Sequence, residues 1–150
     1  MRRNSDCSRR AARVSERVIS IVAALIRDDA GRLLLVRKRG TLAFMQPGGK
    51  RDTGESDVAA LTREIDEELG CRVVENSVRA LGHFDAPAAN EPGFRVRAAV
   101  YAVDVEGPVT PRAEIEEALW ADAAMLSQLH LAPLTRDHVL PLARLSQVEG

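Results

Sequence analysis

The sequence predicts an α/β fold in which a mixed β-sheet lies between helices within a single domain. Its 150 residues, 45% of them hydrophobic and 29% charged, suit one globular domain with its own core. Apolar strand-like stretches alternate with segments of helical periodicity in the order β-β-helix-β-β-helix, which is typical of a mixed sheet covered by helices. We find no internal repeat and no low-complexity linker that would divide the chain.

Two apolar segments open the predicted domain. Residues 18–27 are rich in β-branched side chains, and residues 32–39 follow them after the turn Asp28-Asp29-Ala30-Gly31. This arrangement predicts two strands that pair as a β-hairpin. Pro47-Gly48-Gly49 then interrupts regular structure and allows the backbone to approach a ligand closely.

The clearest helix is predicted over residues 56–69. Ser56 is a suitable N-cap, and Gly70 is well placed to end the helix. The apolar stripe expected to face the core has helical spacing and consists of Val58, Leu61, Ile65 and Leu69.

The second half of the chain predicts further strands and two more helices. Periodicity and breaker residues favour strands over residues 73–84 and 94–105, a loop over 85–93, a short strand at 118–120, and helices over 123–129 and 135–145.

The charge of the chain is balanced, with 21 basic residues, 22 acidic residues and a net charge of -1. This balance does not call for nucleic acid or an anionic membrane as an obligatory partner. The exception is an Arg-rich N-terminal arm, residues 1–17, in which six arginines face two acidic residues. A solvated or dimer-contacting segment and a phosphate-attracting arm are both open interpretations. The domain itself is predicted over residues 18–150.

Cysteine use and hydropathy indicate the compartment. Cys7 and Cys71 are the two cysteines, too few for a disulfide framework. No apolar run approaches the roughly 20 residues that a membrane span needs, and the basic start is not followed by the apolar core of a signal peptide. We therefore expect a cytoplasmic protein with no membrane partner.

Three glutamates of the predicted helix carry the strongest functional signal. Positions three and four apart share a helix face, so Glu64, Glu67 and Glu68 are grouped at the rim of the apolar stripe. Like charges at i,i+4 cost about 0.2–0.5 kcal/mol, and the last turn of a helix also disfavours negative charge. A solvated acidic face is the alternative, but Mg²⁺ prefers oxygen ligands and would offset this repulsion. Glu55 is close enough to pair with Arg63 or to hold a water at such an ion.

The spacing of these residues resembles the Nudix box. Gly49 is followed after five residues by Glu55, and after seven more by the run Arg63-Glu64-Ile65-Asp66-Glu67-Glu68-Leu69-Gly70-Cys71. Every fixed Gly, Glu and Arg of the pattern is present, and Cys71 stands where an aliphatic residue is usual. The flanking segments, residues 44–49 and 114–120, are also similar to those of the family.

The resemblance implies a Nudix fold, an α/β/α sandwich around a mixed β-sheet. It also implies a hydrolase that cleaves a diphosphate bond in a nucleoside diphosphate linked to another moiety. Mg²⁺ is the implied cofactor, with Mn²⁺ as the alternative ion. Because the family often forms dimers, a homodimer is compatible with the resemblance.

The resemblance also implies roles for individual residues. The metal ligands would be the Gly49 carbonyl and the carboxylates of Glu64, Glu67 and Glu68. Arg63 and Glu55 would organise the turn between loop and helix. The general base stays open among Glu64, Glu114 and Glu117, with Glu64 the first choice.

Candidate substrate contacts lie outside the acidic helix. They are Gly48 in the glycine turn, Phe44 and Phe84 as stacking partners for a base, and Arg95 and Arg97 as phosphate ligands. A place in the core explains the aromatic residues as an alternative, and a solvent-facing strand side explains the arginines.

Pro87 gives a weak indication of substrate. It lies sixteen residues after Cys71, about where ADP-ribose hydrolases of the family tend to have a proline. An ADP-ribose-like or nucleotide-sugar substrate is therefore slightly favoured over a nucleoside triphosphate sanitising role. A non-catalytic Nudix module that senses a nucleotide is the alternative from another class.

Overall fold

The computed structural model describes residues 17–149, so the predicted arm lies outside the described residues except for Arg17, which begins the first strand. The strands are β1 Arg17–Leu25, β2 Leu33–Lys38, β3 Phe44–Met45, β4 Gly48–Gly49, β5 Arg72–Val73, β6 Arg79–Pro87, β7 Phe94–Ala102, β8 Val105–Glu106 and β9 Ile115–Ala121. The helices are α1 Asp57–Leu69, α2 Ala123–Leu126 and α3 Leu140–Glu149, with a 3-10 turn at Glu75–Ser77 and a wider π-type segment at Thr135–Val139.

The strands form one mixed sheet, one antiparallel sheet and a small pair. The mixed sheet has the order β4-β1-β7-β6, in which β1 and β7 run parallel and the other neighbours run antiparallel. The antiparallel sheet has the order β3-β2-β9, and β5 pairs with β8. The predicted α/β class with a mixed sheet is confirmed.

The turn between β1 and β2 forms, but the predicted hairpin pairs only next to it, where the Asp28 N–H donates to the Arg32 carbonyl and the Leu34 N–H donates to the Ile26 carbonyl. The Gly31 N–H donates to the Asp28 carbonyl at 2.9 Å, and the Asp28 carboxylate accepts bonds from the backbone of Ala30 and Arg32. Beyond a bridge at Arg27 and Leu33, β1 pairs with β4 and β7, whereas β2 pairs with β3 and β9. The chain therefore passes from one sheet to the other at this turn.

Side-chain alternation in β1 divides the interior into two cores. Val22 and Ala24 belong to a core that Leu61 and Ile65 of α1 cover, and Ala23 and Leu25 belong to another. The second core includes residues that lead into or lie on the C-terminal helical segment, namely Leu134, Val139, Leu140 and Ala143. Successive strand residues point to opposite faces, so helices cover both sides of the sheet structure, as the predicted α/β/α sandwich requires.

Helix α1 begins and ends where the sequence predicts. The Ser56 hydroxyl accepts a bond from the Ala59 N–H at 3.1 Å, and Gly70 adopts the left-handed conformation that ends the helix. The predicted stripe is wrong at Val58, which is 42% exposed. The buried sector is rotated toward Ala60 and Glu68, so Val58 falls at its edge.

Several predicted boundaries differ from the observed ones. The strand expected over 73–84 is interrupted by the 3-10 turn, and β6 continues to Pro87, which shortens the following loop. The strand expected over 94–105 is divided into β7 and β8. The strand β9 is longer than predicted because its whole length pairs with β2.

The helices described between residues 17 and 149 are short. Helix α1 has 13 residues, and α2 has 4 where seven were predicted. None of the helices in this range is long and apolar enough to span a membrane.

A hydrogen bond between Tyr101 and Asp57 joins strand β7 to the first turn of α1. The Tyr101 hydroxyl donates to the Asp57 carboxylate at 2.6 Å. This bond lowers the pKa of Asp57 and raises the pKa of Tyr101 to about 12. Because the pKa of Tyr101 is higher in the folded protein than in the unfolded chain, the bond contributes its full stability below the pKa of an unfolded tyrosine. That stability is lost as the pH rises toward 12.

We expect Tyr101→Phe to lower the free energy of unfolding by about 1–2 kcal/mol at pH 7, because a bond to a charged acceptor is removed. Urea unfolding at pH 7 and between pH 10 and 11.5 measures the effect. The wild-type protein should lose part of its advantage over the variant as pH rises above 10. An equal free energy of unfolding at pH 7 would contradict a stabilising role for this bond.

Candidate active site

A cavity of about 460 Å³ lies between the short strand β4 and strand β2, beside the C-terminal half of α1. Its walls combine acidic side chains (Glu64, Glu68, Glu114), basic side chains (Lys38, Arg39, Lys50), apolar side chains that include Ile19, Ile21 and Val96, and the backbone of Gly48 and Gly49. Cavities of this size commonly hold small-molecule ligands.

Two glycines allow the close approach of β4 to its neighbours. A side-chain carbon on Gly48 would collide with the backbone carbonyl of Val22 on β1. The same atom on Gly49 would collide with the carboxylate of Glu64. Glycine is therefore required at Gly48, where the backbone of β1 leaves no space, whereas a side chain at Gly49 would displace the Glu64 carboxylate.

Glu68 is a buried carboxylate in the wall of the cavity. Its side chain accepts a bond from the Gly48 N–H at 3.2 Å, and the residue is 4% exposed. Burial, together with the charges of Glu64 and Glu114, raises the pKa of Glu68 to about 8. Burial also raises the pKa of Glu64, although Arg63 opposes this effect. Negative charge on these two groups is therefore disfavoured without a cation.

Arg63 connects the loop before α1 to the helix. Its guanidinium donates to both carboxylate oxygens of Glu55, at 2.8 and 2.9 Å, and to the Lys50 carbonyl at 3.1 Å. The Asp52 N–H also donates to Glu55, at 2.7 Å. The bonds from Arg63 lower the pKa of Glu55 to about 2. The expected pairing of Glu55 with Arg63 is thus present and fixes the loop.

Glu67 lies at the rim of the site, away from the cavity lining. Its side chain is 54% exposed and accepts a bond from Arg63 at 3.1 Å. Among the side chains described, those of residues 17–144, no three from His, Cys, Asp or Glu converge as a closed metal site.

The donor set nevertheless fits a hard divalent cation. Glu64 and Glu68 supply carboxylate oxygens whose charge burial disfavours, and the Gly49 backbone adjoins Glu64. Such a cation prefers oxygen ligands and keeps several waters, so it does not need a closed cage of protein groups. Glu67 would join from the rim, where Arg63 contacts one of its two carboxylate oxygens.

The two candidate bases outside the helix are in different places. Glu114 lines the cavity and lies 3.7 Å from the ammonium group of Lys38. Glu117 does not line it, and its carboxylate instead pairs with Arg37 at 3.2 Å on the exposed side of β2 and β9.

The structure does not bring the predicted aromatic and arginine contacts to the cavity. Phe44 is buried in the second core, and Phe84 stacks on His138 with ring centroids 5.4 Å apart. Arg97 pairs with Asp85 at 3.2 Å, and Arg95 is exposed on the same strand. Strand alternation turns Val96, rather than its two arginine neighbours, toward the cavity.

Sequence reasoning missed the cationic and apolar walls of the site. Lys38 ends β2, and Ile19 and Ile21 alternate along β1, but their position depends on how the two sheets meet. Gln46 carried a visible signal, since it is a polar residue directly before the Pro-Gly-Gly turn.

Comparisons with known proteins agree with this fold. The sequence model of the NUDIX domain matches residues 17–143. An 8-oxo-dGTP diphosphatase from Haemophilus influenzae is 31% identical over 78 residues, which cover 49% of this chain and 57% of that protein. The chain thus spans less than two thirds of this relative.

Two solved structures share the fold. A UDP-X diphosphatase superposes with a TM-score of 0.73 and 21% identity, covering 97% of this chain and 72% of that chain. A bifunctional NMN adenylyltransferase/ADP ribose pyrophosphatase from Francisella tularensis, complexed with AMP and Mn ion, gives 0.70 and 16%, covering 84% and 41%. At these identities the likeness concerns the fold alone. Because the domain match spans most of its length and includes the glycine turn and acidic helix, the chain belongs to the NUDIX family.

Proposed function

We propose that this protein is a metal-dependent hydrolase that cleaves a diphosphate bond in a nucleoside diphosphate linked to another moiety. The observation that carries the proposal is the buried carboxylate of Glu68 in the same cavity as Glu64, beside the Gly48-Gly49 backbone. Two acidic groups with raised pKa values in one cavity are typical of a functional site, because such an arrangement does not help the fold.

Mg²⁺ is the proposed ion, with Mn²⁺ as the alternative. Glu64, Glu68 and the Gly49 carbonyl would hold it, and Glu67 would complete the set from the rim. When bound, the ion neutralises the diphosphate and makes water a better nucleophile. The structural neighbour complexed with Mn ion is consistent with this choice.

The protein's own residues position the substrate and take the proton. Lys38, Arg39 and Lys50 line the cavity and attract the phosphates of an anionic substrate. Glu64 and Glu114 face the same space, so either can accept the proton that the attacking water loses. Glu117 is not our choice, because its carboxylate pairs with Arg37 and does not line the cavity.

The proposed substrate class has one specific competitor. ADP-ribose-like and nucleotide-sugar compounds remain our first choice, and residues 88–91, which follow Pro87, line the cavity. A nucleoside triphosphate sanitising role is the second candidate, because the curated relative is an 8-oxo-dGTP diphosphatase. A sensor without activity is disfavoured, since all the carboxylates of the box are present. We place the activity in the cytoplasm, and a homodimer remains a prediction.

Glu68→Gln should lower Mg²⁺-dependent turnover by more than about 100-fold. Replacing a residue that only supports a metal ligand usually costs no more than about 100-fold, so a greater loss indicates a direct ligand. The amide can still accept the Gly48 bond, so the metal-free variant should be at least as thermally stable as the wild type. Product release and the rise in melting temperature on adding Mg²⁺ are measured together. Glu106→Gln is the matched control, because Glu106 is exposed and paired with Arg72. Full activity in Glu68→Gln would refute the ligand assignment.

Glu55→Gln tests whether the Arg63 contacts act through the metal site. We expect about a tenfold weaker Mg²⁺ affinity, seen as a higher half-saturating Mg²⁺ concentration, with turnover largely restored at saturation. The reason is that Glu55 orients the loop that ends at α1 without lining the cavity. Turnover that stays low at saturating Mg²⁺ would instead indicate a direct catalytic role.

A substrate panel tests the proposed reaction directly. Product release is measured with Mg²⁺ or Mn²⁺ for ADP-ribose, NADH, nucleotide sugars, dinucleoside polyphosphates and oxidised nucleoside triphosphates. Faster turnover of ADP-ribose or a nucleotide sugar than of the other compounds supports our first choice of substrate. Binding of nucleotides without any product would favour the sensor and refute the hydrolase.

A further inference from the structure

The segment that leads into strand β9 has an unusual backbone conformation. Ala113 has a φ of 55°, and within residues 17–149 it is the one residue other than glycine with a positive φ. This left-handed region is costly for any residue with a side chain, and turns that require it usually have glycine, asparagine or aspartate there. Strained backbone of this kind persists only where the surrounding structure holds it, and it is common at functional sites.

Backbone hydrogen bonds hold Ala113 in a turn that is attached to the acidic helix. The Ile115 N–H donates to the Arg112 carbonyl at 3.0 Å and closes a four-residue turn with Ala113 in its second position. The Arg112 N–H donates to the Glu68 carbonyl in the last turn of α1 at 2.8 Å. The position of the turn is therefore fixed relative to the helix that carries the proposed metal ligands.

A β-bulge follows the turn and changes which side of β9 its residues face. The partner of Ile115 on β2 is Lys38. The partner of Glu117 is Arg37, the neighbour of Lys38, so Glu116 is an extra residue on β9. Ile115 and Glu117 would share a face in a regular strand, yet Ile115 is buried in the core that α1 covers and Glu117 is exposed.

Turn and bulge together bring a single carboxylate of this acidic segment to the cavity. Glu114 lines the cavity, whereas the two glutamates that follow Ile115 do not. The Glu114 carboxylate lies 3.7 Å from the ammonium group of Lys38, and its charge raises the pKa values of Glu64 and Glu68. Glu114 therefore lies near both the cationic and the acidic groups of the proposed active site.

We propose that Ala113 is a positioning residue, whose left-handed conformation holds the carboxylate of Glu114 in the active-site cavity. The inference rests on the proposed function, in which Glu114 is one of two groups that can accept the proton of the attacking water. A turn with negative φ at its second position suits alanine better, but it would start β9 in another direction and move this carboxylate away. The strain at Ala113 is thus explained by its effect on the next residue.

Two substitutions at Ala113 separate the direction of the turn from the presence of a side chain. Ala113→Gly keeps the positive φ without strain, whereas Ala113→Pro fixes φ near about −65°, as turns of the opposite hand require. In the part of the chain that the structure describes, the Ala113 N–H donates no hydrogen bond that proline would remove. If the proline variant does not fold, Ala113→Val takes its place, because a β-branched residue also disfavours positive φ.

A double-mutant cycle with Glu114→Gln tests whether Ala113 acts through Glu114. The cycle combines this substitution with each of the Ala113 variants. Ala123→Pro is the matched control, because Ala123 is the exposed first residue of α2, where proline is tolerated, and lies outside the cavity. Melting temperatures show that each variant is folded.

Turnover is measured at saturating Mg²⁺ with the substrate that the panel identifies. We expect Glu114→Gln to lower kcat about 100-fold, as loss of a proton acceptor does. Ala113→Pro should lower kcat at least about tenfold in the wild type, because the acceptor is misplaced, and no further in Glu114→Gln. Half-saturating Mg²⁺ should not change. Ala113→Gly should retain most of the turnover that Ala113→Pro loses, and Ala123→Pro should match the wild type.

Two further measurements do not require turnover. Calorimetry with α,β-methylene-ADP and Mg²⁺ reports the negative charge in the cavity. Glu114→Gln and Ala113→Pro should each tighten this binding about fivefold, and no further together, because one repulsive charge leaves and Lys38 is freed. Ala113→Gly should bind like the wild type and melt about 2–4 °C higher, since the strain is relieved.

Four outcomes would overturn the inference. Ala113→Pro might lower kcat in Glu114→Gln as strongly as in the wild type, or Ala113→Gly might lose as much turnover as Ala113→Pro. Ala113→Gly might melt below the wild type, or Glu114→Gln might keep full kcat. A wild type that hydrolyses nothing in the panel refutes the hydrolase alone, since calorimetry and melting temperatures still decide whether Ala113 holds Glu114 in the cavity.

Discussion

The site depends on the contact between the Gly48-Gly49 backbone and the acidic face of α1. The Gly48 N–H binds Glu68, and Gly49 leaves no room for a side chain beside Glu64. On its other side Gly48 lies against the Val22 carbonyl of β1, so this two-residue strand is held between sheet and helix. A larger residue at Gly48 would have to move β4 away from β1, and one at Gly49 would displace the Glu64 carboxylate. The geometry of the proposed metal site thus depends on the absence of two side chains.

This contact brings the carboxylates of Glu64 and Glu68 into a buried site, where their negative charge is disfavoured. The neighbouring residues compensate the acidic groups of the site to different extents. Arg63 compensates Glu55 with two bonds and also contacts Glu67, so that the pKa of Glu55 is lowered to about 2. Glu68 has only one backbone donor, and its pKa is raised to about 8. The arginine therefore stabilises the loop while the cavity keeps uncompensated acid. That division is expected if a cation, rather than a protein side chain, is the partner of Glu68.

The acidic helix was predictable in detail because its signals are local. Ser56 and Gly70 fix its ends through bonds within one turn, and the grouping of Glu64 with Glu68 follows from helical spacing. The prediction was less successful where distant segments decide the outcome. The β1-β2 turn has the expected sequence, but pairing of β1 with β7 and of β2 with β9 separates the strands. Phe44 and Phe84 were proposed as stacking residues, and both lie by the second core because neither strand turns that face toward the cavity.

Strand β1 shows how the two cores and the site are related. The alternation that sends Val22 to one core and Ala23 to the other also gives the cavity two kinds of wall, one carboxylate-bearing and one apolar. The family pattern specifies the first wall, since all its fixed residues lie between Gly49 and Gly70. It does not specify the second, to which Ile21 and Val96 contribute. The proposed metal chemistry thus involves one wall of the cavity, and the other wall lies outside the family pattern.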